Sequence, residues 1–387
     1  MGGNLVIGGI HAATPINLKK HSRKDIAKLL KQILRAINLE FEGEYEYPLW
    51  TTDLLKSGKF LSGSSYHFFN TNISDELFTQ KKPIVGDIDV MVDKKHEAQL
   101  QTLFIDLQSR FVLNNAKLIG FQRGIEQFSA LFEILESELR VQIDFEFVEF
   151  DSNGFPTEWS KFSHSSSWDD LNHGIKGVFH KWLIQSVCAL TVQKFILEKS
   201  KGRGKLKTTV QELKTDAMYT FAVSSKQGGG LRQKYIKTGN TDQKTNLPIM
   251  TLAPTEGYIQ SIGEIMKTII PSDSVTSSDI ESKFWSFTGI IELLQTEVSD
   301  KQRQHIFNAL LDKLFGNDAQ GMYRNNPDKD VFEKLVAVNY ILKHWDVDKP
   351  DNFDSLISTH KTNYKMVPVE VKKNPITEGI LSYDTKA

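Results

Sequence analysis

The chain has 387 residues, with 47 lysines and arginines against 48 aspartates and glutamates, and a hydrophobic fraction of 40%. This length allows two domains, and the balanced charge argues against a protein that coats long nucleic acid. The single cysteine, Cys188, excludes an internal disulfide and is typical of a reducing compartment. Because we also find neither a membrane-spanning segment nor the order of a signal peptide, we expect a cytoplasmic protein with no membrane partner.

The first part of the sequence predicts helices interleaved with a mixed sheet. A helix over 22–39 begins at Ser22, a typical N-cap residue, and carries one apolar stripe. A strand over 139–150 alternates cleanly, with Ile143 and Phe145 on one face and Asp144 on the other. The other predicted elements are helices over 64–70 and 96–111 and strands over 83–92, 117–121 and 130–135. This order indicates an α+β fold.

A turn of small residues precedes three acidic residues on two predicted strands. In chain order these residues are Gly63-Ser64-Ser65, Asp87, Asp89 and Asp144. Side chains alternate along a strand, so Asp87 and Asp89 share a face, where they repel each other unless a cation lies between them. Mg²⁺ prefers carboxylates together with phosphate oxygens, and a Gly-Ser turn can hold a phosphate through its N–H groups and hydroxyls. The combination indicates chemistry on a nucleoside triphosphate.

With these residues, the stretch from 57 to 148 resembles the nucleotidyltransferase superfamily typified by DNA polymerase beta, the poly(A) and CCA-adding enzymes, and small antibiotic nucleotidyltransferases. The resemblance implies a small mixed-sheet core that uses Mg²⁺ or Mn²⁺ and a nucleoside triphosphate. It implies that Asp87 and Asp89 bind both metal ions. Asp144 would bind the second ion and help to deprotonate the attacking hydroxyl.

The resemblance also implies which residues hold the nucleoside triphosphate. Gly63 would permit close approach of the backbone, and Ser64 and Ser65 would donate to phosphate oxygens. Lys181, at the start of a helix in the second half, would be a further phosphate ligand. For Lys181 the alternative is a solvated position on an amphipathic helix.

One departure from the family pattern is the long stretch between Ser65 and Asp87, which we interpret as an inserted loop. Two alternatives to a catalytic metal site stay open. The acidic strand face is simply solvated, or the chain is an inactive binding protein of the same fold. The spacing and order of the motif favour the metal site over a solvated face, and retention of three mutually repelling carboxylates favours it over an inactive protein.

The composition changes at 163–167, which is polar and predicts a domain boundary. A strong amphipathic helix follows over 178–199 and leads into a basic, glycine-rich run over 199–207. Residues 208–253 predict a strand-containing insertion, and residues 256–345 are helical again. Within that region Ser299 and Gln302 form a capping box, which is typical of a helix start.

We therefore predict three parts: a nucleotidyltransferase domain over 1–162, a mainly helical domain over 168–346 and an irregular tail over 347–387. The helical domain would close over nucleotide and acceptor. The predicted activity is transfer of a nucleoside monophosphate to an acceptor hydroxyl, and the long second half and basic run favour an RNA or tRNA end. The alternative acceptor is a small molecule or a protein.

Overall fold

The computed structural model divides the chain into two compact units. It describes residues 6–7, 11–108, 110–113, 115–123, 127–135, 137, 139–164, 166–191, 193–195, 217–224, 229–241, 248–252, 258–270, 282–317, 319, 321–323, 326–364 and 378–380. One unit comprises Met1–Gly174 with Met366–Ala387, and the other comprises Ile175–Lys365. Both units mix helices and strands, so the predicted α+β class is confirmed.

The first unit is organised around a mixed sheet. Its described strands are β1 Val6–Ile7, β2 His11–Ala12, β3 Ile16–Asn17, β4 Ile84–Val85, β5 Asp87–Asp93, β6 Val112–Leu113, β7 Ala116–Arg123, β8 Gln127–Ile134 and β9 Leu139–Val148. The strands of the main sheet lie in the order β7-β8-β9-β5, and Glu378–Ile380 pairs with the outer side of β7. Strands β7, β8 and β9 form an antiparallel meander, whereas β5 joins β9 in parallel. The parallel pair therefore lies at one edge of the sheet.

The first unit contains seven described helices. They are α1 Arg23–Tyr45, α2 Thr52–Ser57, α3 Gly63–Phe69, α4 Asp75–Lys81, α5 Glu97–Leu107, α6 Glu158–Ser163 and α7 Trp168–Asn172. All of them except α6 contribute residues to a hydrophobic core shared with this sheet. Ser22 caps α1 by accepting from the N–H of Asp25, as predicted, and the helix runs past the expected end to Tyr45. The ring of Phe104 on α5 packs against those of Phe128 and Phe145, at centroid distances of 4.9 and 5.4 Å. This aromatic packing anchors α5 on the sheet.

The stretch between Ser65 and Asp87 is not the loop that we predicted. It contains the rest of α3 and then α4, which Ser74 caps by accepting from the N–H of Leu77. Phe78 of α4 is fully buried. The prediction failed because the segment is short and polar, whereas tertiary packing of one aromatic residue fixes its helical form.

The second unit begins with α8, Gly177–Val187. The helix predicted over 178–199 is wrong for Cys188–Thr191, which form a 3₁₀ turn, and for Gln193–Phe195, which form a strand, while residues 196–199 lie outside the described residues. The strands are β10 Gln193–Phe195, β11 Ala217–Ser224, β12 Gly230–Thr241 and β13 Pro248–Leu252, which form an antiparallel sheet in that order. Strands therefore do occur in the region predicted to contain them, while the basic run over 199–207 lies outside the described residues.

Among the residues described, the remaining helices of the second unit are α9 Ile262–Ile269, α10 Phe287–Glu297, α11 Asp300–Phe315, α12 Pro327–His344 and α13 Phe353–Thr362. Ser299 and Gln302 form the predicted capping box at the start of α11. Helix α13 lies within the stretch predicted as an irregular tail, so that prediction is wrong for Phe353–Thr362. Among the helices in the described ranges, none combines the length and the apolar character needed to cross a bilayer.

Candidate metal centre

The three predicted carboxylates converge at the sheet edge formed by β5 and β9. The parallel register places Asp89 opposite Asp144 and Asp87 opposite Gln142. Alternation along β5 brings Asp87 to the same face as Asp89. One carboxylate oxygen from each of the three aspartates lies within 4.8 Å of the others. The sheet register itself therefore assembles the acidic cluster.

Hydrogen bonds from its own strand and from the neighbouring strand β8 hold the Asp144 side chain. The Gln142 amide donates to Oδ1 at 2.8 Å and to Oδ2 at 2.9 Å. Ser129, which lies opposite Asp144 on β8, also hydrogen-bonds the carboxylate. Asp144 is only 4% exposed, so these contacts replace the water that it loses. The carboxylate is thus fixed in position without a cation.

Burial and repulsion between neighbouring carboxylates raise the pKa of Asp89 and of Asp144. Burial, followed by the charge of Asp87, raises the pKa of Asp144 to about 7 despite the opposing effect of the hydrogen bonds from Ser129 and Gln142. Burial and then the charge of Asp87 also raise the pKa of Asp89 well above its usual range. Both shifts favour the neutral acid in the absence of a cation. A divalent cation would reverse them because it stabilises the ionised carboxylates.

The outer edge of β5 is bound to the segment that leads into the Gly-Ser turn. The N–H of Met91 donates to the carbonyl of Phe60 at 2.6 Å, and the N–H of Ser62 donates to the carbonyl of Asp89 at 3.1 Å. The N–H of Asp89 donates to the Ser65 hydroxyl at 2.8 Å. These bonds bring the two sequence motifs together, so the predicted proximity of turn and acidic strand is confirmed.

Gly63 lies directly against the Asp89 carboxylate. A Cβ atom at Gly63 would be 3.3 Å from Asp89 Oδ2, and the residue has a φ of +53°, which favours glycine. Its N–H donates to the carbonyl of His164 at 2.7 Å, which ties the turn to the end of α6. Glycine is therefore required here by backbone conformation and by the close approach to the acidic cluster.

The other predicted nucleotide-binding residues have different surroundings. Ser65 is fully buried, and its hydroxyl accepts from Asp89, which gives it a structural role. Ser64 is half-buried and accepts from the Lys82 ammonium. Lys181 lies on α8 of the second unit and is half-buried. Contacts of Ser64, Ser65 and Lys181 with a nucleotide stay predictions.

Three polar residues around the cluster were not among the predicted site residues. Glu146 follows Asp144 on the same face of β9 and accepts from the Ser62 hydroxyl at 2.5 Å. Its charge raises the pKa of both Asp89 and Asp144. Strand alternation is the signal that pointed to Glu146, whereas nothing in the sequence pattern singled out Ser62 or Lys82.

No family model matches the chain, and comparisons with curated proteins and with solved structures also gave no match. The chemistry of the site therefore has to indicate the function by itself. Carboxylate oxygens are the ligands that hard divalent cations prefer, and three of them converge here beside a glycine that leaves room for a ligand. The residues present thus fit a centre for a hard divalent cation.

Proposed function

We propose that this protein is a metal-dependent nucleotidyltransferase that transfers a nucleoside monophosphate from a nucleoside triphosphate to an acceptor hydroxyl. The convergence of Asp87, Asp89 and Asp144 on one face of β5 and β9 carries the proposal. The close packing of Gly63 on Asp89 supports it. A turn pressed against an acidic cluster is the arrangement expected where a metal-bound triphosphate meets the backbone.

Asp87, Asp89 and Asp144 would hold Mg²⁺ or Mn²⁺. Bound there, the cation supplies positive charge that stabilises the entering and leaving oxygens of a phosphoryl transfer. The chain prepares this position by fixing Asp144 through Gln142 and Asp89 through Ser65. Such prior orientation matters because catalysis of phosphoryl transfer is mainly positioning and electrostatic stabilisation.

The reaction joins the acceptor oxygen to the α-phosphorus and breaks the bond from that phosphorus to the bridging oxygen of the leaving pyrophosphate. Asp144 accepts the proton that the acceptor hydroxyl loses. Its carboxylate suits that role because hydrogen bonds from Gln142 and Ser129 hold it in place beside the other two aspartates. Gly63 and Ser64 would lie along the triphosphate, where the backbone approaches the acidic cluster.

The favoured acceptor is the end of an RNA or tRNA. Its support is the basic sequence over 199–207, because lysine and arginine side chains suit contact with a phosphate backbone. A cytoplasmic location would supply both nucleoside triphosphates and such an acceptor.

The test incubates the protein with each nucleoside triphosphate, labelled at the α-phosphate, together with Mg²⁺ or Mn²⁺ and total cellular RNA. Asp89→Asn is the loss-of-function variant, and Asp106→Asn is its matched control because Asp106 is exposed on α5. We expect label in a discrete RNA band with wild type and Asp106→Asn, and none with Asp89→Asn.

Other outcomes select among the alternatives. Label on a small molecule or on protein would keep the activity and replace the RNA acceptor. No transfer to any acceptor, together with no metal-dependent nucleotide binding, would overturn the proposal. Equal transfer by Asp89→Asn would also overturn it, since the acidic cluster would then be dispensable.

A further inference from the structure

Lys82 contacts the Gly-Ser turn from the long stretch between Ser65 and Asp87. It directly follows α4, and its ammonium donates to the Ser64 hydroxyl on α3. Ser64 adjoins Gly63, whose Cβ position is 3.3 Å from Asp89 Oδ2. The extra segment thus brings a positive charge to the turn that borders the acidic cluster.

The segment that carries Lys82 is firmly held. Arg23 of α1 donates to the carbonyl of Ile73 at 2.5 Å and pairs with Asp75, the first residue of α4, at 2.8 Å. The ring of Phe78 stacks on Trp168 of α7 at a centroid distance of 6.0 Å. These contacts hold α4 at both its beginning and its middle, so Lys82 emerges from a fixed position.

The positive charge of Lys82 lowers the pKa of His67, a buried residue of α3. Burial lowers the pKa of His67, a hydrogen bond to the Ser166 carbonyl raises it, and the Lys82 ammonium lowers it again. The net shift is downward, so His67 is neutral at neutral pH. Lys82 therefore supplies positive charge beside the turn. A metal-bound triphosphate needs such a charge because the acidic cluster repels its phosphates.

We propose that Lys82 binds a phosphate oxygen of the nucleoside triphosphate, exchanging its contact with Ser64 for a contact with the ligand. This inference rests on the proposed function. Lysine serves this role as a mobile point charge on a flexible stem, and a hydroxyl contact is readily replaced by a charge-assisted one.

A purely structural role for Lys82 predicts different behaviour. In that case the contact with Ser64 only ties α4 to α3, and removing it lowers stability without a selective effect on triphosphates. A phosphate-binding role predicts weaker binding of triphosphates with unchanged binding of the metal ion alone. The two roles are thus separated by ligand selectivity.

The test compares wild type with Lys82→Met, with Lys82→Arg as the conservative variant and Lys81→Met as the matched control. Lys81 is exposed, and its ammonium donates to the Asn172 carbonyl at 3.3 Å. Calorimetry measures Mn²⁺ alone, nucleoside triphosphates with Mn²⁺, and inorganic tripolyphosphate with Mn²⁺. Thermal unfolding and nucleotide transfer are recorded for every variant.

We expect Lys82→Met to weaken binding of nucleoside triphosphate and tripolyphosphate at least about tenfold while Mn²⁺ alone binds as in wild type. Lys82→Arg should recover most of the affinity, and Lys81→Met should match wild type. Wild-type triphosphate affinity in Lys82→Met would overturn this inference and leave the proposed function intact. Equal weakening of Mn²⁺ and triphosphate with a lower unfolding temperature would also overturn it. Absence of triphosphate binding and transfer in wild type would overturn the proposed function, and Lys82 binding with it.

Discussion

Gly63 and Asp89 are packed so closely that a single methyl group on the glycine would lie 3.3 Å from the aspartate Oδ2. They come from different elements, the start of α3 and the strand β5. The backbone at Gly63 therefore borders the acidic cluster on this side. The strength of this constraint can be measured by adding that methyl group.

We expect Gly63→Ala to lower the free energy of unfolding by roughly 1–2 kcal/mol, because alanine is strained at a positive φ. It should also weaken Mn²⁺ binding by displacing the Asp89 carboxylate. Gly43→Ala is the control: Gly43 lies exposed on α1, and nothing lies within 4 Å of its Cβ position. That change should stabilise the protein by about 0.5–1 kcal/mol and leave Mn²⁺ binding unchanged. Wild-type Mn²⁺ affinity in Gly63→Ala would contradict the prediction.

The acidic cluster should make the metal-free protein less stable as the pH rises. Burial, followed by the charge of Asp87, raises the pKa of Asp144 to about 7 from an ordinary value of 3.8. Between about pH 4 and pH 7, folded Asp144 holds a proton that the unfolded chain has lost, so its contribution to stability declines as the pH rises through this window.

Asp144→Asn removes this titration, so its stability relative to wild type should increase with pH. We expect a gain of at least about 1 kcal/mol between about pH 5 and pH 8 in chelator, measured by urea unfolding. Saturating Mg²⁺ should stabilise wild type and leave the variant unchanged. A pH-independent difference between the two proteins would show that Asp144 has an ordinary pKa.

Ser65 should contribute to stability through the backbone of β5. Its buried hydroxyl accepts from the N–H of Asp89, and Ser65→Ala leaves that N–H without its acceptor. The expected loss is about 1–3 kcal/mol in urea unfolding, with weaker Mn²⁺ binding. The exposed Ser152 provides the control, since Ser152→Ala should have no measurable effect. Unchanged stability in Ser65→Ala, combined with a loss of triphosphate binding only, would instead favour the predicted nucleotide contact of Ser65.

The second unit contains a buried charged group that joins α12 to α13. Asp330 Oδ2 accepts from Lys334 at 2.8 Å and lies 2.9 Å from His360 Nε2. The side chains of Asp330 and Lys334 are both fully buried. Asp330 Oδ1 also accepts from the N–H of Met322 at 2.6 Å. Loss of this carboxylate would leave the lysine charge buried without its partner.

We expect Asp330→Ala to destabilise the second unit by about 3–5 kcal/mol, measured by chemical unfolding. Asp328 pairs with Lys361 across the same two helices, but the Asp328 side chain is 82% exposed. Asp328→Ala should therefore cost less than about 0.5 kcal/mol. Similar losses for the two variants would mean that water reaches the Asp330 group.

The sequence predicted the acidic site better than the segments around it. Period-two alternation sufficed to place Asp87 and Asp89 on one face, and the Ser22 and Ser299 caps are local patterns that need no tertiary information. Lys82 could not be predicted, because its position depends on how α4 packs through Phe78. The predicted end of α8 was wrong because an apolar run continues into β10, and no residue type in between marks the change from helix to strand.

The parallel pairing of β5 with β9 also has a kinetic consequence. Helix α5 and strands β6, β7 and β8 separate β5 from β9 in the chain, so their pairing closes a long loop, whereas the β7–β8–β9 meander forms from local contacts. We expect β5 to join the sheet late in folding, after the transition state. A divalent cation bound across the two strands should then slow unfolding while leaving the refolding rate unchanged, which stopped-flow measurements with and without Mg²⁺ would reveal.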